Sequence, residues 1–98
     1  MTVLVTAELF IKPEQADGFL QLLQAALPKT REYDGCESLD TFVNQDDPGH
    51  IIMVERWTER AAHERYMTWR TEQGMFDVLA DLASAPPRFH YFDPRPEI

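Results

Sequence analysis

Cysteine is nearly absent from this chain: Cys36 stands alone, so no disulfide can form within it. That usage suits a reducing compartment. Long apolar runs are missing too. No stretch approaches the roughly 20 residues that a membrane span needs. The opening MTVLVTAELF has neither the basic start nor the apolar length of a secretory signal. A cytoplasmic location is the expectation that follows. Positive charge is also scarce. Nine basic residues against seventeen acidic ones leave a net charge of −8, and no two basic residues are adjacent. Nucleic acids and anionic membranes are poor partners for such a chain, because both are held by clustered cations. The three histidines form no i,i+4 pair and have no cysteine cluster beside them, so no metal centre is expected. Phosphate loops, dinucleotide fingerprints and Ser/His/Asp sets are absent as well.

What is present is enough apolar material for one core. Hydrophobic residues make up 44% of the 98, and aromatics 11%. This suits a single folded domain over residues 1–98, with its core at about 3–92 and a tail at 93–98. A monomer of this size buries only about two-thirds of its unfolded surface, so association with a second copy would help it.

The order of elements is legible from periodicity. Residues 3–11, VLVTAELFI, put Val3, Val5, Ala7, Leu9 and Ile11 on one face of a strand that Pro13 ends. From Glu14 the period turns helical, with Ala16, Phe19, Leu20, Leu23, Ala26 and Leu27 forming one stripe. Pro28 is expected to kink or break this helix, and Gly35 to stop it. Residues 38–44 alternate as a second strand, and the turn formers Gln45 to Gly49 predict a hairpin. The third strand, HIIMVERW, sets Ile52, Val54 and Arg56 against Ile51, Met53, Glu55 and Trp57. Thr58 is a candidate cap for a second helix carrying Ala61, Ala62, His63, Tyr66, Met67 and Trp69, with an interruption at Gly74. A further helical stretch and a final strand, RFHYF, complete a β-α-β-β-α-β order. That is the split βαβ arrangement of ferredoxin-like α+β domains, a four-stranded antiparallel sheet with helices on one face. Its second face carries Phe10 or Leu9, Phe42 or Val43, and a row from the third strand. It is too apolar to be left in water, and a second copy of the sheet is its simplest cover.

Three segments then carry a resemblance: Asp34-Gly35-Cys36, Asp46-Asp47-Pro48-Gly49, and Val54-Glu55-Arg56-Trp57 followed by Arg60-Ala61-Ala62-His63. In order and spacing the chain resembles the antibiotic biosynthesis monooxygenase domain, over roughly residues 3 to 92. The resemblance implies a homodimer forming an α+β barrel, with a small-molecule pocket between sheet and helices. It also implies oxidation of phenolic molecules to quinones by oxygen, with no metal, flavin or haem cofactor. Some such domains instead degrade haem or isomerise small molecules, and fold alone does not choose. The chain departs from the family at named positions. Tyr66 stands where many members have histidine, and Met53 where the quinone-forming type has asparagine. Thr6 and Glu8 occupy the strand where haem degraders need asparagine.

Within that frame Trp57 is expected to stack a planar substrate and to donate its N–H to a substrate oxygen. His63 is the expected base, and Tyr66 the group that polarises an oxygen. Met53, Glu55, Met67 and Phe42 are expected to line the substrate site. Each has a plainer reading. Trp57 would serve the core or interface, while His63 would sit half-exposed beside Glu59 or Glu64. Glu55 would pair with Arg70 or Arg88 across a dimer. His50 reads as solvated, His90 and Tyr91 as structural, and Cys36 as a packing residue. A non-redox isomerase, or a ligand-binding or dimerisation module without catalysis, are the alternative functions on the same scaffold.

Overall fold

A computed structural model describes residues 2–98. The chain runs β1 (Val3–Ile11), a short 3-10 turn (Pro13–Gln15), α1 (Ala16–Glu32), β2 (Cys36–Asn44), β3 (Asp47–Trp57), α2 (Arg60–Glu72), α3 (Met75–Leu82) and β4 (Ala83–Phe92). The strands form one sheet in the order β2-β3-β1-β4, antiparallel at every pairing. This is the ferredoxin-like α+β arrangement that the periodicity predicts.

Register decides which residues share a face. Val5 lies opposite Glu55, Ala7 opposite Met53 and Leu9 opposite Ile51, while Leu39 flanks Glu55 from β2. Side chains alternate along a strand, so these residues all point to the side covered by the helices. The strict buried/half-buried alternation of β1 follows from that cover. Beneath the helices Val3, Val5, Trp57, Ala62 and Tyr66 form one buried cluster, and Leu9, Ile11, Phe19, Ile51 and Leu79 form another. The opposite face holds Leu4, Phe10, Phe42, Ile52, Val54 and Phe92, and among the described residues no helix packs over it. Phe42 and Phe92 are about half exposed there.

Several details differ from the sequence reading. The helix α1 continues through Pro28. Pro28 and Gln24 are both exposed, so water can satisfy the carbonyl that loses its donor. The hairpin is tighter than a five-residue loop: Asn44 pairs with Asp47, leaving Gln45 and Asp46 as the turn. Gly49 then passes so close to β1 that a Cβ there would lie 2.1 Å from the Ile11 carbonyl oxygen. Glu59, not Thr58, caps α2, without a side-chain bond. The last strand extends back through Pro86-Pro87, which an edge strand tolerates because one of its sides needs no donors. The helix α1 ends at Glu32 with Tyr33 as its extended cap, so Gly35, at φ +97°, makes the turn that follows rather than the stop, and a Cβ there would meet the Ala62 Cβ at 2.6 Å. The first turn of α2 therefore sits against this corner, next to Trp57.

Candidate active site

Between the covered sheet face and the three helices lies a cavity of about 230 Å³. Leu9, Phe19, Leu27, Met53, Met67 and Phe89 give it apolar walls drawn from β1, α1, β3, α2 and β4. Among the lining residues, polar side chains come only from Glu55, Tyr66, Arg70 and Gln73. Of the residues expected at a site, the cavity brings together Met53, Glu55, Tyr66 and Met67.

Glu55 is the unusual member. It is 3% exposed, sits on the second-last inward position of β3, and has no arginine or lysine partner among the described residues. Its Oε1 accepts a hydrogen bond from the Trp57 indole N–H at 2.9 Å. Desolvation disfavours the carboxylate more than that single donor supports it, so the group is raised to about 7. A carboxyl that changes charge near neutral pH can both take and return a proton. The expected pairing with Arg70 or Arg88 is therefore replaced by a hydrogen bond to an uncharged neighbour.

Trp57 and His63 stand behind this carboxyl, outside the cavity wall. Both are essentially fully buried. The Trp57 N–H expected for a substrate oxygen is spent on Glu55. His63 Nε2 lies 3.9 Å from Glu55 Oε1, and its Nδ1 shares a hydrogen bond of 2.7 Å with the Tyr91 hydroxyl. Burial pushes the imidazole down to about 4. Between about pH 4 and 7 the neighbours thus meet as neutral groups, although their distance alone would suggest an ion pair. The half-exposed reading of His63 does not hold, and of the two groups only Glu55 lines the cavity.

Tyr66 reaches the cavity with its hydroxyl already engaged. That oxygen is 2.7 Å from Thr30 Oγ1 and accepts a bond from Arg70 Nε at 2.8 Å. Its ring packs 5.2 Å from the Trp57 ring. Phe42 requires a correction. Residues 39, 41 and 43 of β2 face the helices, so Phe42 points to the open face, 53% exposed and away from the cavity. His50 is not simply solvated, since it contacts Glu8 at 2.7 Å and Asn44 at 2.9 Å. His90 and Tyr91 do take opposite faces: His90 is exposed, and Tyr91 joins His63. Arg70 is the cavity residue that sequence reasoning did not place there. Its signal was available in the helical spacing 63, 66, 67, 70, which puts all four residues on one face of α2.

No group of three His, Cys, Asp or Glu side chains gathers closely enough to hold a metal ion among the described residues. Likewise, no helix there is long and apolar enough to cross a membrane.

Comparison with known proteins matches this geometry to a family. Residues 2–73 match the description "antibiotic biosynthesis monooxygenase". The Bacillus subtilis (strain 168) protein YcnE is 26% identical over 84 residues, covering 86% of this chain and 88% of its own. Rv0793 from Mycobacterium tuberculosis is 30% identical over 78 residues, covering 74% and 76%. The solved structure of Rv0793 superposes with a TM-score of 0.75 over 97% of this chain and 96% of that one. A crystal structure of an antibiotic biosynthesis monooxygenase superposes with a TM-score of 0.85 at 31% identity, over 96% and 99%. The chain therefore belongs to the antibiotic biosynthesis monooxygenase family.

Proposed function

We propose that the chain is a cofactor-independent monooxygenase acting on a small, electron-rich aromatic or conjugated molecule, with Glu55 as its base. One observation carries the reading: a carboxyl raised to about 7 lines an otherwise apolar cavity. Membership of the family supports a monooxygenase-type function, and both YcnE and Rv0793 are provisionally named as monooxygenases. The cavity falls below the roughly 300–1,000 Å³ usual for drug-sized ligands, which favours one- or two-ring molecules.

The chemistry follows from what such a substrate can do with oxygen. Glu55 as carboxylate removes the hydroxyl proton of a phenol or enol whose keto tautomer carries a ring CH2, so that the anion shares its charge with that carbon. The anion passes electrons to molecular oxygen, and a C–O bond forms at that carbon to give a hydroperoxide. Loss of the remaining C–H proton with departure of the distal oxygen leaves C=O. Protons returned through Glu55 complete that oxygen as water. The sum is CH2 plus O2 giving C=O plus H2O, the step that turns such a molecule into a quinone. Trp57 holds Glu55 in its orientation, while Tyr66, polarised by Arg70, faces the oxygen on which negative charge develops.

The same carboxyl also suits proton transfer beside a carbonyl, and this supports an isomerase as the second reading. Oxygen consumption separates the two. With a panel of one- and two-ring phenols such as 1-naphthol, whose keto tautomer carries the ring CH2, uptake should match quinone formed. Glu55→Gln should lower kcat by roughly 10²–10⁴-fold, and wild-type activity should rise with pH through about 7 as the base ionises. Uptake unaffected by Glu55→Gln rules out this mechanism, and conversion without uptake selects the isomerase. The working unit in this reading is a homodimer closed over the open sheet face. Its place is the cytoplasm, where a lone thiol such as Cys36 stays reduced.

A further inference from the structure

We propose that the molecule held in this cavity carries a carboxylate, and that Arg70 is the residue that selects it. The inference deepens the reading of Glu55 as base in the same cavity and rests on that site assignment.

Arginine has five N–H donors. Three are spent on neutral oxygens: Nε on the Tyr66 hydroxyl at 2.8 Å, and Nη2 on the Ala26 carbonyl at 2.8 Å and on Thr30 Oγ1 at 2.9 Å. These bonds fix the guanidinium and leave its charge uncompensated. The Trp69 ring, 4.7 Å from its centre, supports it from the side. Nη1 keeps two N–H groups with no partner among the described residues. Arg60, Arg65 and Arg95 each have a carboxylate within 4.0 Å, whereas Arg70 has none. Yet Arg70 is the one cation among the residues that line an apolar cavity.

A fixed, unneutralised guanidinium at an apolar wall favours an anion strongly, because the pair forms where water screens it little. The acid in the same wall does not supply that anion. Burial keeps Glu55 uncharged below about pH 7. The two free N–H groups sit on one nitrogen, and no second cation lines the cavity. That supply suits a single carboxylate, and falls short for a phosphate with three acceptor oxygens. The ring of the ligand would then lie against Met53, Met67 and Phe89, with its ionisable hydroxyl toward Glu55.

The plainer role for Arg70 is a stitch between α1 and α2, and binding experiments separate the two. Quenching of tryptophan fluorescence is titrated with 2-naphthoate and with 2-naphthamide, which have the same ring system and differ in charge. At pH 6 the naphthoate should bind wild type about tenfold more tightly or better, as a charged hydrogen bond implies. Arg70→Gln should erase the preference by weakening naphthoate binding much more than naphthamide binding, and Arg70→Lys should keep part of it. Where Arg70→Gln does not fold, a pH series on the wild-type protein decides. Ionising Glu55 between pH 6 and 8 should weaken naphthoate binding several-fold and leave naphthamide unmoved. Equal affinities in wild type, a preference that survives Arg70→Gln, or binding of neither probe overturns the proposal. Neither probe is oxidised, so these affinities are independent of any oxygen uptake. A failed monooxygenase assay leaves the carboxylate preference standing, and the reverse also holds.

Discussion

On the open face of the sheet Glu8 meets His50 at 2.7 Å, and Asn44 steadies the imidazole from its other nitrogen. On the covered face Glu55 meets an indole N–H at 2.9 Å and a neutral imidazole at 3.9 Å. Both carboxylates stand on the two central strands, β1 and β3, and both have apolar cross-strand neighbours, Ile52 for Glu8 and Val5 for Glu55. What separates them is the partner and the water. Glu8 is about a quarter exposed, with the His50 imidazole at 2.7 Å and Arg88 opposite it on β4. Glu55 has neither that exposure nor an arginine opposite it, and its proton is retained to about pH 7. A chain that places an unpaired acid in its core accepts a stability cost there, which is the pattern expected where a residue is kept for chemistry.

The largest expected effect lies on the open face. If two sheets pack through Leu4, Phe10, Ile52 and Val54, Ile52→Asp sets a carboxylate beside Glu8 in a closed interface. An unpaired charge there costs several kcal/mol, so the dissociation constant should rise by roughly 100-fold or more. Sedimentation equilibrium at micromolar protein reads this directly. A wild-type monomer, or an unchanged dimer in the variant, removes the homodimer from the proposal.

Next comes the same substitution made on each face. Raising Glu55 from its ordinary 4.5 to about 7 corresponds to on the order of 3 kcal/mol of native stability lost above pH 7. Gln keeps an oxygen for the Trp57 N–H and carries no charge. Glu55→Gln should therefore stabilise the fold by about 2 kcal/mol at pH 8 in urea unfolding. Glu8→Gln breaks a partly exposed pair and should cost up to about 1 kcal/mol. Two changes of equal sign would show that the two faces do not treat a carboxylate differently.

The strands and their faces were legible because alternation is a local property. Val3 to Ile11 and Ile51 to Trp57 declare their two faces without help from the rest of the chain, and the register and the helix cover decide which face turns inward. The site was legible as a neighbourhood, since Trp57, His63 and Tyr66 do come together. Roles within it were not. Whether His63 faces solvent, core or cavity depends on how α2 rolls against the sheet, and that is set by contacts with Gly35, Tyr91 and Thr30, each distant in sequence from His63. Phe42 was misplaced against its own alternation: Leu39, Thr41 and Val43 form the more apolar side of β2, while Phe42 shares the outward side with Asp40 and Asn44, as the pairing with β3 shows. Pro86-Pro87 hid the start of β4, since the edge position that tolerates prolines is a tertiary fact.

The smallest effect gives the sharpest reading of the buried pair. Glu55 is raised when folded, so its favourable contribution is complete below 4.5 and is lost as pH rises through about 7. His63 is lowered, so its contribution is complete above 6.5 and is lost as pH falls through about 4. Between pH 4.5 and 6.5 the two run in opposite directions, each at up to about 1.4 kcal/mol per pH unit, and nearly cancel. Glu55→Gln should therefore add a positive slope to the wild-type stability curve in this window, and His63→Gln a negative one. Taking each variant's difference from wild type at fixed ionic strength removes the other carboxylates from the comparison. Parallel curves for all three proteins would mean that neither group is perturbed by burial, and Glu55 would lose its claim to be the base.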